Sequence, residues 1–150
     1  MSLEPIALTT PLFYVNDRPH IGSAYPTIAA DAFARFYRLK GHPVMFVTGT
    51  DEHGQKIQRT AEKNNLSPQD HCDRTVAEFY TLWERLNIRF DRFTRTTAPK
   101  HQAIVNEFFQ RVYDSGDIYL NQQKGWYCVA CEEFKEEREL PTSHHCPIHT

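Results

Sequence analysis

Three short stretches of this chain carry residue types at spacings that chemistry can use. Near the C-terminal end, Cys128-Val129-Ala130-Cys131 is followed after 14 residues by Cys146-Pro147-Ile148-His149. Two pairs with two-residue spacers form the pattern of a Cys3His zinc knuckle. Thiolates and a neutral imidazole suit zinc, and four protein ligands leave no open position, so such an ion is structural. His144 and His145 are rival fourth ligands, but His149 restores the pair spacing. Cys72 lies far from this cluster and reads as an ordinary packed or surface thiol.

The second stretch runs from Leu12 to Ser23 and contains Pro19-His20-Ile21-Gly22. It falls between a predicted strand and a predicted helix. Open parallel sheets bind ligands at this carboxyl end of the strands. A helix N-terminus offers free N–H groups and a positive dipole to a phosphate. Gly22 lets a ligand approach the backbone, and His20 can donate to phosphate oxygens and stabilise charge developing there. The plainer reading makes His20 a turn residue that caps the helix.

The third stretch is Val47-Thr48-Gly49-Thr50-Asp51-Glu52-His53-Gly54, just after a second predicted strand. It faces the same crevice as His20. Two acids and a histidine in a row suggest a metal, yet adjacent residues on a turn rarely converge on one ion. An Asp at a strand end can instead hold an ammonium group. The plainer reading has Thr50 or Asp51 capping the following helix.

A scaffold for these stretches is legible around them. Ile6 to Tyr14 is apolar and Thr-rich and reads as a buried strand. From about Ser23 to Lys40, Ile28, Ala29, Ala32, Phe33 and Phe36 recur at helical spacing, with Pro26 suiting the first turn and Gly41 the end. Pro43 to Val47 predicts a second strand, which completes a parallel βαβ unit. Further helices are expected over Gly54 to Asn64, after Ser67-Pro68, and from Thr97-Pro99 to Gly116. Ile88 to Thr94 suggests a third strand. The stripes Val76, Phe79, Tyr80, Trp83, Leu86 and Ile104, Val105, Phe108, Phe109, Val112 are expected in the core. From Asp117 onward the pieces are short and polar, so a boundary is placed near Gly116. This divides the chain into 1–116 and 117–150.

The composition bounds what this scaffold can be. A chain of 150 residues, 40% apolar and 24% charged, is a globular protein of one domain or one and part of another. With 17 Lys+Arg against 19 Asp+Glu, it is not broadly polybasic, so a nucleic-acid site must be a local patch. DNA is not an expected partner. No apolar run approaches the 18 or so residues of a membrane helix, so no membrane association is expected. Met1 to Ala7 lacks a basic region ahead of an apolar stretch, so no secretory leader is expected. Clustered cysteines then favour metal binding in a reducing cytoplasm over a disulfide framework.

Taken together, the motifs resemble the N-terminal part of the methionyl-tRNA synthetases, within class I of the aminoacyl-tRNA synthetases. The resemblance runs from about Ile6 to the end. It rests on Thr9-Thr10-Pro11, Tyr14-Val15-Asn16-Asp17, Pro19-His20-Ile21-Gly22, Val47 through Ile57, and Gly125 through Glu132. It implies an α/β fold: a Rossmann-like nucleotide-binding half-domain, then the start of a connective insertion holding the zinc knuckle. It implies activation of methionine by ATP with magnesium, then transfer to methionine tRNA. His20 and Ser23 match the catalytic signature, and Phe13, Tyr14, His20, Gly22 and Ser23 match ATP-binding positions. Leu12, Tyr14 and Asp51 match positions that bind methionine, Asp51 through the ammonium group.

Two departures accompany the resemblance. Ser23 stands where the family signature usually ends in a second histidine, and serine cannot carry positive charge. The family also needs a Lys-Met-Ser-Lys-Ser-like loop for ATP, a second half-sheet and an anticodon-binding domain, none of which these 150 residues contain. The chain therefore reads as an N-terminal portion, inactive alone. The alternative is a non-catalytic zinc-bearing RNA-binding or adaptor module derived from such an enzyme.

Overall fold

Ile6–Tyr14 becomes β1, and the β-branched run Val44–Asp51 becomes β2. Arg92–Arg95 forms β3. The strands pair in parallel in the order β1-β2-β3, which makes β2 central. Helix α1 (Ile21–Leu39) crosses from β1 to β2, while α2 (Gln55–Lys63) and α3 (Pro68–Arg85) lead from β2 to β3. Helix α4 (Pro99–Asp114) follows. This is the expected α/β architecture, seen in a computed structural model that describes residues 3–140 and 145–149. The chain packs as two units, Met1–Val105 and Asn106–Thr150, a division that falls inside α4, ahead of Gly116.

A bulge in β1 decides which residues meet at the carboxyl end of the sheet. Pairing runs from Ile6↔Val44 to Thr9↔Val47, then resumes at Leu12↔Gly49 with one extra residue on β1. Pro11 has no N–H to give the ladder, so this is where the register slips. Thr10 holds the gap with its hydroxyl 2.7 Å from that of Thr48. After the slip, Tyr14 pairs with Asp51.

The second strand is longer than its apolar run predicts. Thr48, Gly49, Thr50 and Asp51 belong to β2 because it has a neighbour on both edges. Gly49 is demanded by that crowding: a Cβ there would sit 1.9 Å from the Thr94 carbonyl oxygen. The third strand is shorter and later than expected. Asn87, with φ 53°, and the Ile88 N–H bond to the Trp83 carbonyl close α3, so Ile88 is used in a helix cap. Asp91 then takes the Phe46 N–H onto its carboxylate at 2.6 Å.

The core of the first unit gathers Val15, Ala34, Phe46, Ile57, Cys72, Val76, Phe79 and Trp83. The α3 stripe is thus buried at Val76, Phe79 and Trp83, while Tyr80 and Leu86 stay exposed. The other two stripes are not core. On α1 the buried residues are Ser23, Ala24, Thr27, Asp31 and Ala34, whereas Ile28, Phe33 and Phe36 are exposed. Small side chains let α1 lie close to the sheet, and its bulky apolar row is turned away. On α4 none of the residues is buried, and Ile104, Val105, Phe108 and Phe109 are exposed. Cys72 is a packed thiol, which burial and the Glu52 charge push up to about 11.

The second unit holds a small antiparallel hairpin, β4 (Trp126–Cys128) and β5 (Glu133–Lys135). A short helical turn follows over Glu137–Glu139.

Candidate functional site

The N-terminus of α1 is built by His20 and Ser23 together. The Nδ1 of His20 accepts the Gly22 N–H at 3.0 Å. The Ser23 hydroxyl accepts the His20 N–H at 3.1 Å and donates to the His20 carbonyl at 2.8 Å. This is a reciprocal capping box, and it starts the helix two residues before the predicted Ser23. Pro26 therefore lies inside the helix instead of in its first turn. Gly22 has no room for a side chain, since a Cβ would approach the His20 ring to 2.7 Å.

The cap has consequences for chemistry. Ser23 is buried, and its single hydroxyl proton goes to a backbone carbonyl, so none is left for a phosphate oxygen in this arrangement. His20 is exposed and uses only Nδ1 in the cap, leaving Nε2 as the atom that faces outward chemistry. The plain and the catalytic readings of His20 are thus compatible, one for each ring nitrogen.

A cleft of about 200 Å³ opens at this helix start. Phe13, Tyr14, His20, Gly22 and Ser23 line it, joined by Asn16, Asp17, Arg18 and Phe79. Phe13 stacks on Phe79 with centroids 5.8 Å apart, which fixes the apolar wall. His71, on α3, donates from Nε2 to the Val15 carbonyl at 2.9 Å and ties the loop after β1 to α3. Asp51 stands next to Tyr14 across the strand register, and its carbonyl accepts the Val15 N–H at 3.4 Å. Leu12 is on β1, exposed, and outside the cleft lining.

Neither Thr50 nor Asp51 caps the following helix: the N-cap of α2 is Gly54, which has no side-chain bond. Instead, the strand ends are locked by Glu52. Its side chain is fully shielded and receives Arg95 in a two-pronged ion pair, Nε to Oε1 at 2.7 Å and Nη2 to Oε2 at 2.9 Å. Thr50 adds a hydroxyl at 2.6 Å and Thr97 another at 2.5 Å. Burial raises the affinity of Glu52 for a proton, but these bonds from Arg95, Thr50 and Thr97, with the Arg95 charge, outweigh it. Its carboxyl is therefore held below the usual range. Asp73 also reaches Arg95, at 2.5 Å.

Sequence reasoning missed this network and placed Phe79 only in the core, while Asn16, Asp17 and Arg18 fall inside the Leu12 to Ser23 stretch with no role of their own. The available signal was an acid, Glu52, placed where the chain leaves a buried strand. Such an acid needs a cation, and Arg95 is the cation at the end of β3.

In the second unit, Cys128, Cys131, Cys146 and His149 converge, with their ligand atoms all within 4.8 Å of one another. The Nδ1 of His149 lies 3.2 Å from Cys131 Sγ, 3.8 Å from Cys146 Sγ and 3.9 Å from Cys128 Sγ. Cys131 and Cys146 sulfurs are 3.6 Å apart. A tetrahedron with metal–sulfur bonds of about 2.3 Å and a metal–nitrogen bond of about 2.0 Å has edges of roughly 3.5–3.8 Å, so the donor set fits one ion. The hairpin positions it: Glu132 adopts φ 59°, its N–H bonds the Cys128 carbonyl at 2.8 Å, and the Cys131 N–H points to Cys128 Sγ at 3.4 Å. The Ile148 and His149 N–H groups pull the Cys146 thiol down to about 6, while desolvation and the neighbouring sulfurs push Cys131 up to about 11. His145 is not in this group, and His144 lies outside the described residues.

Among the described residues no helix is long and apolar enough to cross a membrane. The family model described as tRNA synthetases class I (M) matches residues 6–150. A methionine–tRNA ligase of Thermosynechococcus vestitus is 71% identical over 143 residues, covering 95% of this chain and 27% of that protein. One of a Synechocystis species is 66% identical, covering 99% of this chain and 28% of that protein. Mycobacterium tuberculosis methionyl-tRNA synthetase, solved in complex with methionyl-adenylate, superposes with a TM-score of 0.87 at 42% identity. That match covers 93% of this chain and 27% of that one. The chain thus spans about a quarter of the length of the relatives it matches.

Proposed function

The chain belongs to the class I tRNA synthetase family that the methionine enzymes share, and from that premise we propose that it carries the methionine-binding and first phosphate-binding parts of a methionine–tRNA ligase. The observation that carries this is the pairing of Tyr14 with Asp51 at the carboxyl end of the sheet, beside the His20 helix start. In this reading residues 1–116 are the first half of the catalytic domain and 117–150 the start of its zinc-binding insertion.

Asp51 pairs with the ammonium of methionine, and Leu12 and Tyr14 contact its side chain. ATP, arriving with magnesium, lies over Phe13, Tyr14, His20 and Gly22 at the α1 N-terminus, where the positive end of the helix dipole favours phosphate. His20 Nε2 donates to the phosphates as the methionine carboxylate attacks the α-phosphorus and pyrophosphate leaves. Ser23 serves by fixing the His20 backbone. Cys128, Cys131, Cys146 and His149 hold a zinc ion whose role is to fold the hairpin segment. Methionine tRNA then accepts the activated amino acid, in the cytoplasm. The 150 residues alone, without the family's ATP loop, are expected to give no aminoacylation.

The test is ATP–pyrophosphate exchange by the full-length polypeptide. Exchange that depends on methionine, and not on leucine or isoleucine, is the expected result. Absence of methionine-dependent exchange overturns the reading.

A further inference from the structure

The three residues that leave β3 all grip the Asp51-Glu52 pair. Arg95 holds the Glu52 carboxylate with two bonds, and Thr97 holds one of its oxygens. The backbone N–H of Thr96 bonds the Thr50 carbonyl at 3.2 Å. Between these anchors, the Thr96 hydroxyl accepts the Glu52 N–H at 2.8 Å and lies 3.5 Å from Asp51 Oδ1. The His53 N–H meets the same Oδ1 at 3.4 Å. Both donors converge on one oxygen, and among the described residues Oδ2 has no hydrogen bond.

We propose that Thr96 is a positioning residue for Asp51: held by the Arg95 and Thr97 anchors on Glu52, its hydroxyl fixes Oδ1 and leaves Oδ2 for the substrate ammonium. This rests on the reading of Asp51 as the ammonium partner. A half-buried carboxylate at a strand end otherwise rotates among several side-chain wells. The Thr96 hydroxyl has one proton and a lone pair to spare, so it can accept from Glu52 and donate to Asp51 at once. Long contacts of this kind tighten when the ligand arrives. Both bonds use the Thr96 hydroxyl, which serine keeps and valine lacks.

The experiment uses the full-length polypeptide as wild type, Thr96→Val, Thr96→Ser and Asp51→Asn. Two inhibitors of methionine-dependent exchange serve as probes. Methioninol keeps the ammonium group, and 4-(methylthio)butanoate lacks it. Thr96→Val is expected to weaken methioninol by roughly tenfold, the scale of one hydrogen bond to a charged group. The amine-free acid should bind Thr96→Val as it binds wild type, and Thr96→Ser should restore methioninol. Equal weakening of both probes, or no change in either, overturns the positioning role while a selective loss in Asp51→Asn leaves the ammonium reading standing. If Asp51→Asn itself shows no selective loss of methioninol, the ammonium reading falls, and the role of Thr96 falls with it.

Discussion

Arg95 closes both prongs of its guanidinium on Glu52, whose side chain has no exposed surface. The pair joins the exit of the central strand to the exit of the edge strand. Both residues stand beside Asp51, the last residue of β2. A buried pair of this kind is retained only with excellent geometry and further hydrogen bonds, which Thr50 and Thr97 supply here.

Removing one partner should therefore hurt more than removing both. Arg95→Met leaves an uncompensated buried carboxylate and is expected to cost about 3–5 kcal/mol. The double variant Glu52→Gln with Arg95→Met should recover part of that loss. Urea unfolding of the three proteins checks the order, and equal stability of the single and double variants would contradict it.

The same carboxylate sets a pH dependence. The folded protein holds Glu52 below its unfolded value, so its contribution is present above the usual carboxylate pKa and disappears as pH falls through the folded value. Asp73, held low by its bonds from Arg95 and Gln69, acts in the same direction. Stability measured in urea should drop between about pH 5 and pH 3. The Glu52→Gln variant should show a shallower drop over that window. A slope as steep as wild type would remove Glu52 as the source.

Gly49 offers a test of the sheet. Any side chain there must displace the backbone of Thr94, because the nearest atom to a new Cβ is a carbonyl oxygen at 1.9 Å. Backbone of a paired strand cannot move aside as a flexible side chain would. Gly49→Ala is expected to cost about 3 kcal/mol or more, at the upper end of overpacking effects. A melting temperature within a degree of wild type would show that β2 and β3 separate more easily than the register implies.

How far the sequence foretells this fold depends on how local the signal is. Strand β1, the Ser67-Pro68 helix start and the spacing of Cys128, Cys131, Cys146 and His149 are local patterns, and the structure shows each of them. The extent of β2 is not local: Thr48 to Asp51 look like a turn until β3 pairs with Thr48 to Thr50 and β1 with Asp51. Apolar rows mislead for a similar reason. Ala24, Thr27 and Ala34 pack on the sheet because they are small, so the bulky row of α1 marks the wrong face. Glu52 and Arg95 lie 43 positions apart, and no periodicity links them.

The cysteine cluster predicts a metal-dependent segment. Four donors gathered within 4.8 Å of one another should take one zinc ion per chain. Chelation, or Cys128→Ser, should unfold the hairpin region after Gly116 while the parallel sheet keeps its protection in hydrogen exchange. Metal analysis well below one ion per chain in protein never exposed to chelator would count against it.

His20 allows the cap and the chemistry to be separated, because each uses a different ring nitrogen. Nδ1 accepts the Gly22 N–H, a bond an asparagine side chain can replace, since asparagine is among the best N-caps. Nε2–H is the donor proposed for the phosphates, and the shorter asparagine side chain does not reach that position. His20→Asn should thus melt close to wild type yet lose about 10²–10³ in the rate of methionine-dependent exchange, the usual weight of one donor to developing charge. His20→Ala should lose the same activity and, in addition, about 1 kcal/mol of stability with the cap. Melting curves and exchange rates for the two variants in the full-length polypeptide decide the matter. If His20→Asn retains both stability and exchange, then capping is the whole role of this histidine, and the phosphates are held by other groups.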